Sequence, residues 1–121
     1  MTKKTTLDIY WAKAVKEKAG NLCIFNDMNC SGTLNAHHVI HRSNHAVRWY
    51  LPNGVSLCNY HHTLGSFSAH QNPIWFIDKM TEFLGEKWKE DLIIKCSKIF
   101  RWKKFTDEIK LYLKGQGEYP L

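Results

Sequence analysis

All seven histidines of the chain, His37, His38, His41, His45, His61, His62 and His70, fall between positions 37 and 70. Three of the four cysteines, Cys23, Cys30 and Cys58, lie in or just before the same window. Such crowding of soft and borderline ligands constrains the fold more than any apolar pattern does, because it points to bound metal. A disulfide framework is the competing reading. It is the weaker one, since the cysteines are interleaved with histidines and nothing suggests export. The start is basic, but Asp8 interrupts any apolar run behind it, so no signal peptide is expected.

At 121 residues the chain has the length of one domain, and a single domain over 1–121 is expected. A chain of this size buries about two thirds of its unfolded surface. Hydrophobic residues at 44% and charged residues at 23% exclude a wholly disordered, collagen-like or integral membrane protein. The net charge is +6, with a pI near 9.2. The stretch Lys95, Lys98, Arg101, Lys103 and Lys104 contains no acid. It suits a polyanion such as nucleic acid, or equally a solvated helix face.

Along the chain, Leu7, Trp11, Val15 and Ala19 recur at helical spacing, and Gly20-Asn21 offers a stop. An amphipathic scaffold helix over 7–19 is expected. The core of the pattern, 21–72, is rich in Asn, Ser and Gly. Two short strands are expected near Leu34–Ile40 and Val55–Leu57, with Leu51-Pro52-Asn53-Gly54 as a turn between them. A helical extension over 73–114 follows. Asn72 caps its first helix, Pro73 fits the first helical position and Gly85 closes it. A second helix covers 86–96. A third runs from Thr106 to about Lys114, with Asp107 and Glu108 in its first turn. The tail GQGEYPL is expected to fray. Cys96, in an apolar helical stretch, is expected to be an ordinary thiol.

The central piece reads Cys23-x6-Cys30, then Leu34-Asn35-Ala36-His37-His38-Val39-Ile40, then Asn53-Gly54-Val55-Ser56-Leu57-Cys58-Asn59-Tyr60-His61-His62. It resembles the HNH endonucleases over roughly residues 23–73. The resemblance rests on an upstream Cys pair, an Ala-His-His-Val-Ile strand, an Asn-Gly turn and a Cys-x2-His knuckle, in that order. It implies an α+β fold with a small ββα-metal (His-Me finger) core and a zinc knuckle. The helices at 7–19 and 73–114 would flank that core.

The resemblance also implies two metal sites. Cys23, Cys30, Cys58 and His61 supply the four ligands that a structural zinc needs. This chain departs from the usual two Cys pairs by a wider first pair and by His61 in place of a last Cys. Neighbouring helical residues point about 100° apart, so His61 can face the zinc while His62 faces a cleft. His37 and His62 would bind one catalytic divalent metal. His38 would be the general base, and Asn53 would orient the loop that carries it. His70 would complete the metal site if the chain bends between it and His62, for which Thr63-Leu64-Gly65-Ser66 leaves room. Otherwise two protein ligands and water, or His41 or His45, would complete it. Mg²⁺ is the natural cation, with Mn²⁺, Ni²⁺ or Zn²⁺ also accepted by imidazoles.

The implied reaction is hydrolysis of DNA phosphodiesters, giving 5′-phosphate and 3′-hydroxyl ends. Arg42 and Arg48 are candidate phosphate clamps, or else simple surface arginines. Lys98, Arg101 and Lys103 are candidate DNA contacts. Trp49 is expected to pack under the motif. DNA is the expected partner, with a homodimer or a larger phage or restriction complex compatible with it. The expected setting is the cytoplasm of a bacterial or phage-infected cell, with no membrane contact. The rival reading is a catalytically inactive, zinc-stabilised DNA-binding module.

Overall fold

The computed structural model describes residues 4–121 and is an α+β arrangement. The basic start at Met1–Lys3 lies outside the described residues. Helix α1 spans Thr6–Lys18, strand β1 Leu34–His38 and strand β2 Gly54–Cys58. Helices α2, Pro73–Leu84, α3, Glu86–Cys96, and α4, Thr106–Leu113, follow. The strands form a two-stranded antiparallel sheet in which His37 faces Val55 and His38 faces Gly54. No helix of the described residues is long and apolar enough to cross a membrane.

Local chemistry explains most boundaries. Thr5 caps α1 in a capping box: its hydroxyl accepts from the Asp8 N–H, and the Asp8 carboxylate accepts from the Thr5 N–H at 2.6 Å. Asn72 caps α2 through the Trp75 N–H, with Pro73 behind it. Gly85, at φ +97°, separates α2 from α3. Strand β1 stops two residues short of its apolar run, and β2 extends one residue beyond its run at each end. Val39 and Ile40 leave the ladder because their N–H groups bond to Asn53, through its carbonyl and its side chain. Leu51–Asn53 is one 3-10 turn, held by Tyr112, whose hydroxyl accepts from the Leu51 N–H, and by Trp88, which donates to the Pro52 carbonyl.

Two apolar clusters flank the sheet. One joins Val55, Leu57, Phe76 and Met80 around the cysteines. The other joins Leu7, Trp11, Val15, Trp49, Ile109 and Leu113. Gly54 lets α1 close on the sheet, since a Cβ there would overlap Val15 and Trp11. The C-terminal tail does not fray. Tyr119 packs against Tyr50, Tyr112 and Phe100, and its hydroxyl donates to the Ala46 carbonyl at 2.9 Å.

Arg48 is not a surface phosphate clamp. It is 1% exposed and paired with Asp8, at 2.6 Å from Nη2 and 2.9 Å from Nε. The Trp49 indole, buried as expected, donates to the same carboxylate at 2.9 Å. A cation this deep cannot reach DNA. The Asp8 carboxylate, part of the capped end of α1, supplies its counter-charge. Burial alone would push the Asp8 carboxyl up. The Arg48 bonds and the Thr5 N–H outweigh it and hold it below 3.8.

Asp8→Ala should therefore destabilise the protein by about 3–5 kcal/mol in urea unfolding, because it strands the Arg48 charge. Asp8→Leu with Arg48→Met should recover much of that loss. The sign with pH follows from the lowered carboxyl. Its contribution is complete well above 3.8 and drains away as pH falls through the folded value, so Asp8→Asn should flatten the acid limb of the stability profile.

Candidate metal centres

Two clusters of metal-ligating side chains occur among the described residues: Cys23, Cys30, Cys58 and His61, and His37, His62 and His70. Within each, the ligand atoms all lie within 4.8 Å of one another.

The first cluster closes the loop after α1 onto the end of β2. His61 Nδ1 stands 3.6 Å from Cys23 Sγ, 3.5 Å from Cys30 Sγ and 3.2 Å from Cys58 Sγ. With Zn–S near 2.3 Å and Zn–N near 2.0–2.1 Å, a tetrahedral N···S edge is about 3.5–3.6 Å. The four residues can hold a structural metal such as zinc. Cys23, Cys58 and His61 are buried, as a structural site requires. A further residue completes the set. Asp27 Oδ2 lies 3.3 Å from His61 Nε2, so the ring donates from Nε2 and keeps its Nδ1 lone pair for the thiol pocket. Phe25 stacks on the same ring at 4.5 Å.

The thiols divide electrostatically. Burial and the neighbouring Cys58 and Cys23 push Cys30 up to about 11, against a bond from the Asp27 backbone that acts the other way. Burial also acts to raise Cys58. Backbone donors at His61 and Ser31, with the neighbouring Cys30, outweigh it and bring the thiol down to about 6. Cys58 thus supplies a thiolate at neutral pH, the form that binds metal. Cys96 lies apart, its thiol against the Ile93 carbonyl.

The second cluster depends on how the chain leaves β2. The segment after Cys58 is not a regular helix but one π turn, Tyr60–Leu64. Gly65 then turns to an extended conformation. A Cβ there would come within 2.8 Å of the Tyr60 ring, so the turn needs glycine. The chain folds back on itself: Ala69 N–H bonds to the His61 carbonyl at 2.8 Å and His70 N–H to the His62 carbonyl at 3.0 Å. This bend, at the expected tetrapeptide, brings His70 Nε2 to 3.1 Å from His62 Nε2. The His37 ring stands 5.1 Å from both other rings. Burial, with His62, His70 and His38 nearby, holds His37 down to about 3. Burial and His70 lower His62 as well. Both therefore offer neutral lone pairs at physiological pH.

His38 and Arg42 line the same cleft as these three rings, together with Ala36 and His41. His38 Nε2 meets the Arg48 carbonyl at 2.8 Å. A carbonyl only accepts, so Nε2 carries the proton and Nδ1 is the basic atom. Burial lowers the His38 pKa, joined by the Arg48 and Arg42 cations, while the carbonyl bond and Asp8 act the other way. Asn53 is fully buried. Its side chain accepts from the Ile40 N–H at 2.7 Å and donates to the Ile40 and Val47 carbonyls. It thereby spans the loop that follows His38.

The alternative third ligands are placed differently. His41 bonds to Ser43 at the cleft rim, and His45 stacks on Trp49 and Trp102 away from the cluster. Lys98, Arg101 and Lys103 are exposed in the connection between α3 and α4. The cleft loop reaches that connection, since Asn44 donates to the Cys96 carbonyl and His45 packs on Trp102. Sequence reasoning missed Asp27, Asp8 and the contact of Trp11 on His38. Only Asp27 left a signal, as a lone acid between two ligand cysteines.

No family model, curated protein or solved structure matches this chain. The resemblance to HNH nucleases thus rests on the motif residues themselves.

Metal analysis of the purified protein should find zinc at the cysteine cluster. Cys58→Ser should lower zinc content and the midpoint of thermal unfolding together, because structural metal binding is coupled to folding. Asp27→Asn should keep the stoichiometry and weaken zinc affinity by about 10–100-fold in a chelator competition.

Proposed function

We propose that the protein is a metal-dependent endonuclease of the HNH type, built on a ββα-metal core and hydrolysing DNA phosphodiester bonds. One observation carries this reading: His37, His62 and His70 converge from β1, the π turn and the folded-back segment, and His38 lines the same cleft with its Nε2 held by the Arg48 carbonyl. A structural domain needs no such arrangement beside a separate zinc cluster.

The three imidazoles fit a divalent cation. The 3.1 Å between the Nε2 atoms of His62 and His70 matches the spacing of two nitrogens on one ion with bonds near 2.0–2.1 Å. The donor set is all nitrogen, which suits Mn²⁺, Ni²⁺ or Zn²⁺ better than Mg²⁺. A cation held there would offset charge on the scissile phosphate and stabilise the departing 3′ oxygen.

The chain's own groups supply the rest. His38 takes the proton from the attacking water at Nδ1, while the Arg48 carbonyl holds Nε2–H. Asn53 fixes the loop after the base by its three backbone bonds. Arg42, on the cleft wall, is positioned to meet a phosphate oxygen with its planar guanidinium. In this reading the exposed Lys98, Arg101 and Lys103, on the connection that Asn44 and His45 touch, add further phosphate contacts. Contacts of this kind make binding fall steeply with salt.

Supercoiled plasmid incubated with Mn²⁺ or Mg²⁺ should be nicked or cut, and EDTA should stop it. His38→Ala should lower the rate by about 10²–10⁴-fold, the range for loss of a general base, while DNA affinity and metal content hold. Tight DNA binding by the wild type without cleavage in any divalent cation would favour the inactive zinc-stabilised module instead.

A further inference from the structure

The helix expected to be mere scaffold touches the base directly. The Trp11 indole lies face to face with the His38 imidazole, centroids 3.8 Å apart and planes 8° apart. This is the closest ring pair among the described residues. Trp11 is 2% exposed, and its own N–H is committed to the Tyr50 carbonyl at 3.2 Å. Gly54, opposite His38 in the sheet, leaves the space the indole occupies, since a Cβ there would come within 2.7 Å of Trp11.

We propose that Trp11 is a positioning residue for His38, a fixed plate that holds the imidazole in one plane at the cleft while the Arg48 carbonyl holds Nε2. The inference rests on the nuclease reading, in which His38 is the base. The physical need is simple. The bond from Nε2 to the Arg48 carbonyl fixes one atom of the ring but lets the ring turn about that bond. A flat surface pressed along the whole ring removes the remaining freedom. Two flat rings with centroids 3.8 Å apart are in van der Waals contact along their faces, so neither can tilt without overlapping the other. The plate and the carbonyl have a common anchor: α1 carries both Trp11 and Asp8, and Asp8 holds the side chain of Arg48, whose carbonyl His38 meets. A misplacement of about 1 Å in a reacting group can cost about 100-fold in rate, so the clamp acts on turnover rather than on DNA binding.

The test compares Trp11→Leu, which fills much of the space without a flat face, with Trp11→Phe, which keeps one. Leu113→Ala serves as a control that loosens the same core cluster without touching His38. Cleavage of a duplex with Mn²⁺ gives kcat and KM, and NMR of the histidine ring protons gives the stacking directly. Trp11→Leu should lower kcat by about 100-fold with KM within about twofold, and Trp11→Phe should restore most of it. Leu113→Ala should lose stability and keep kcat. The His38 ring protons should lie upfield in the wild type and move downfield in Trp11→Leu. Wild-type kcat in folded Trp11→Leu, or an equal loss of kcat in Leu113→Ala, overturns the proposal. Should Trp11→Leu fail to fold, absence of the upfield shift in the wild type, or failure of Trp11→Phe to retain kcat, overturns it as well. A wild-type protein that cleaves nothing sinks the nuclease reading instead, and the His38 shift still reports the stack by itself.

Discussion

The buried pair between Asp8 and Arg48 joins residues 40 positions apart and fixes how α1 meets the loop after β1. Two charges withdrawn from water cost several kcal/mol each, and an isolated pair seldom repays that cost. Here the carboxylate also accepts from Thr5 and Trp49, so its lone pairs are satisfied and little of the desolvation remains uncompensated. The geometry of the cleft follows from this anchor. With α1 docked, Trp11 lies over His38. With the Arg48 side chain pinned inward, its carbonyl stands where His38 Nε2 can reach it. A charge pair outside the cleft thus sets the orientation of a ring that lines it.

The cysteine cluster does the corresponding work on the other face of the sheet. The segment between α1 and β1 has no regular structure, and two of its larger apolar side chains, Leu22 and Met28, are exposed. A metal held by Cys23 and Cys30 together with Cys58 and His61 would tie that segment to the end of β2, across as many as 38 positions. A cross-link of that span removes conformational freedom from the unfolded chain, as a disulfide does. It would substitute for core that a short chain cannot bury. Phe25 and Trp75 then pack beside the cluster and extend the apolar layer toward α2.

How much of this was legible in the residues depended on whether the signal was local. Caps and stops at Asn72, Pro73 and Gly85 act within a turn, and α2 begins and ends where they place it. Spacing and residue type carried only the crowding of cysteines and histidines; the division into two sets followed from the resemblance, which left His41 and His45 open beside His70. The bend that delivers His70 was readable only as room for a bend, at Gly65. The backbone bonds of Ala69 and His70 that enforce it are tertiary facts. Arg48 was misread for a definite reason. A basic residue in a polar loop looks like a surface cation, and nothing local reveals a carboxylate 40 positions upstream that lies inside the core. The tail misled in the same way: Gly115 and Gly117 suggest fraying, but Tyr119 finds a pocket made by Tyr50, Tyr112 and Phe100.

His61 belongs to the cysteine cluster and His62 to the imidazole cluster, so a single peptide bond separates a ligand of one centre from a ligand of the other. The folded-back segment stiffens that link, because the carbonyls of both residues accept from the returning strand of chain. A displacement in either cluster is therefore handed to the other across one peptide unit, and the two backbone bonds that brace it keep the spacing of the two sets of side chains fixed.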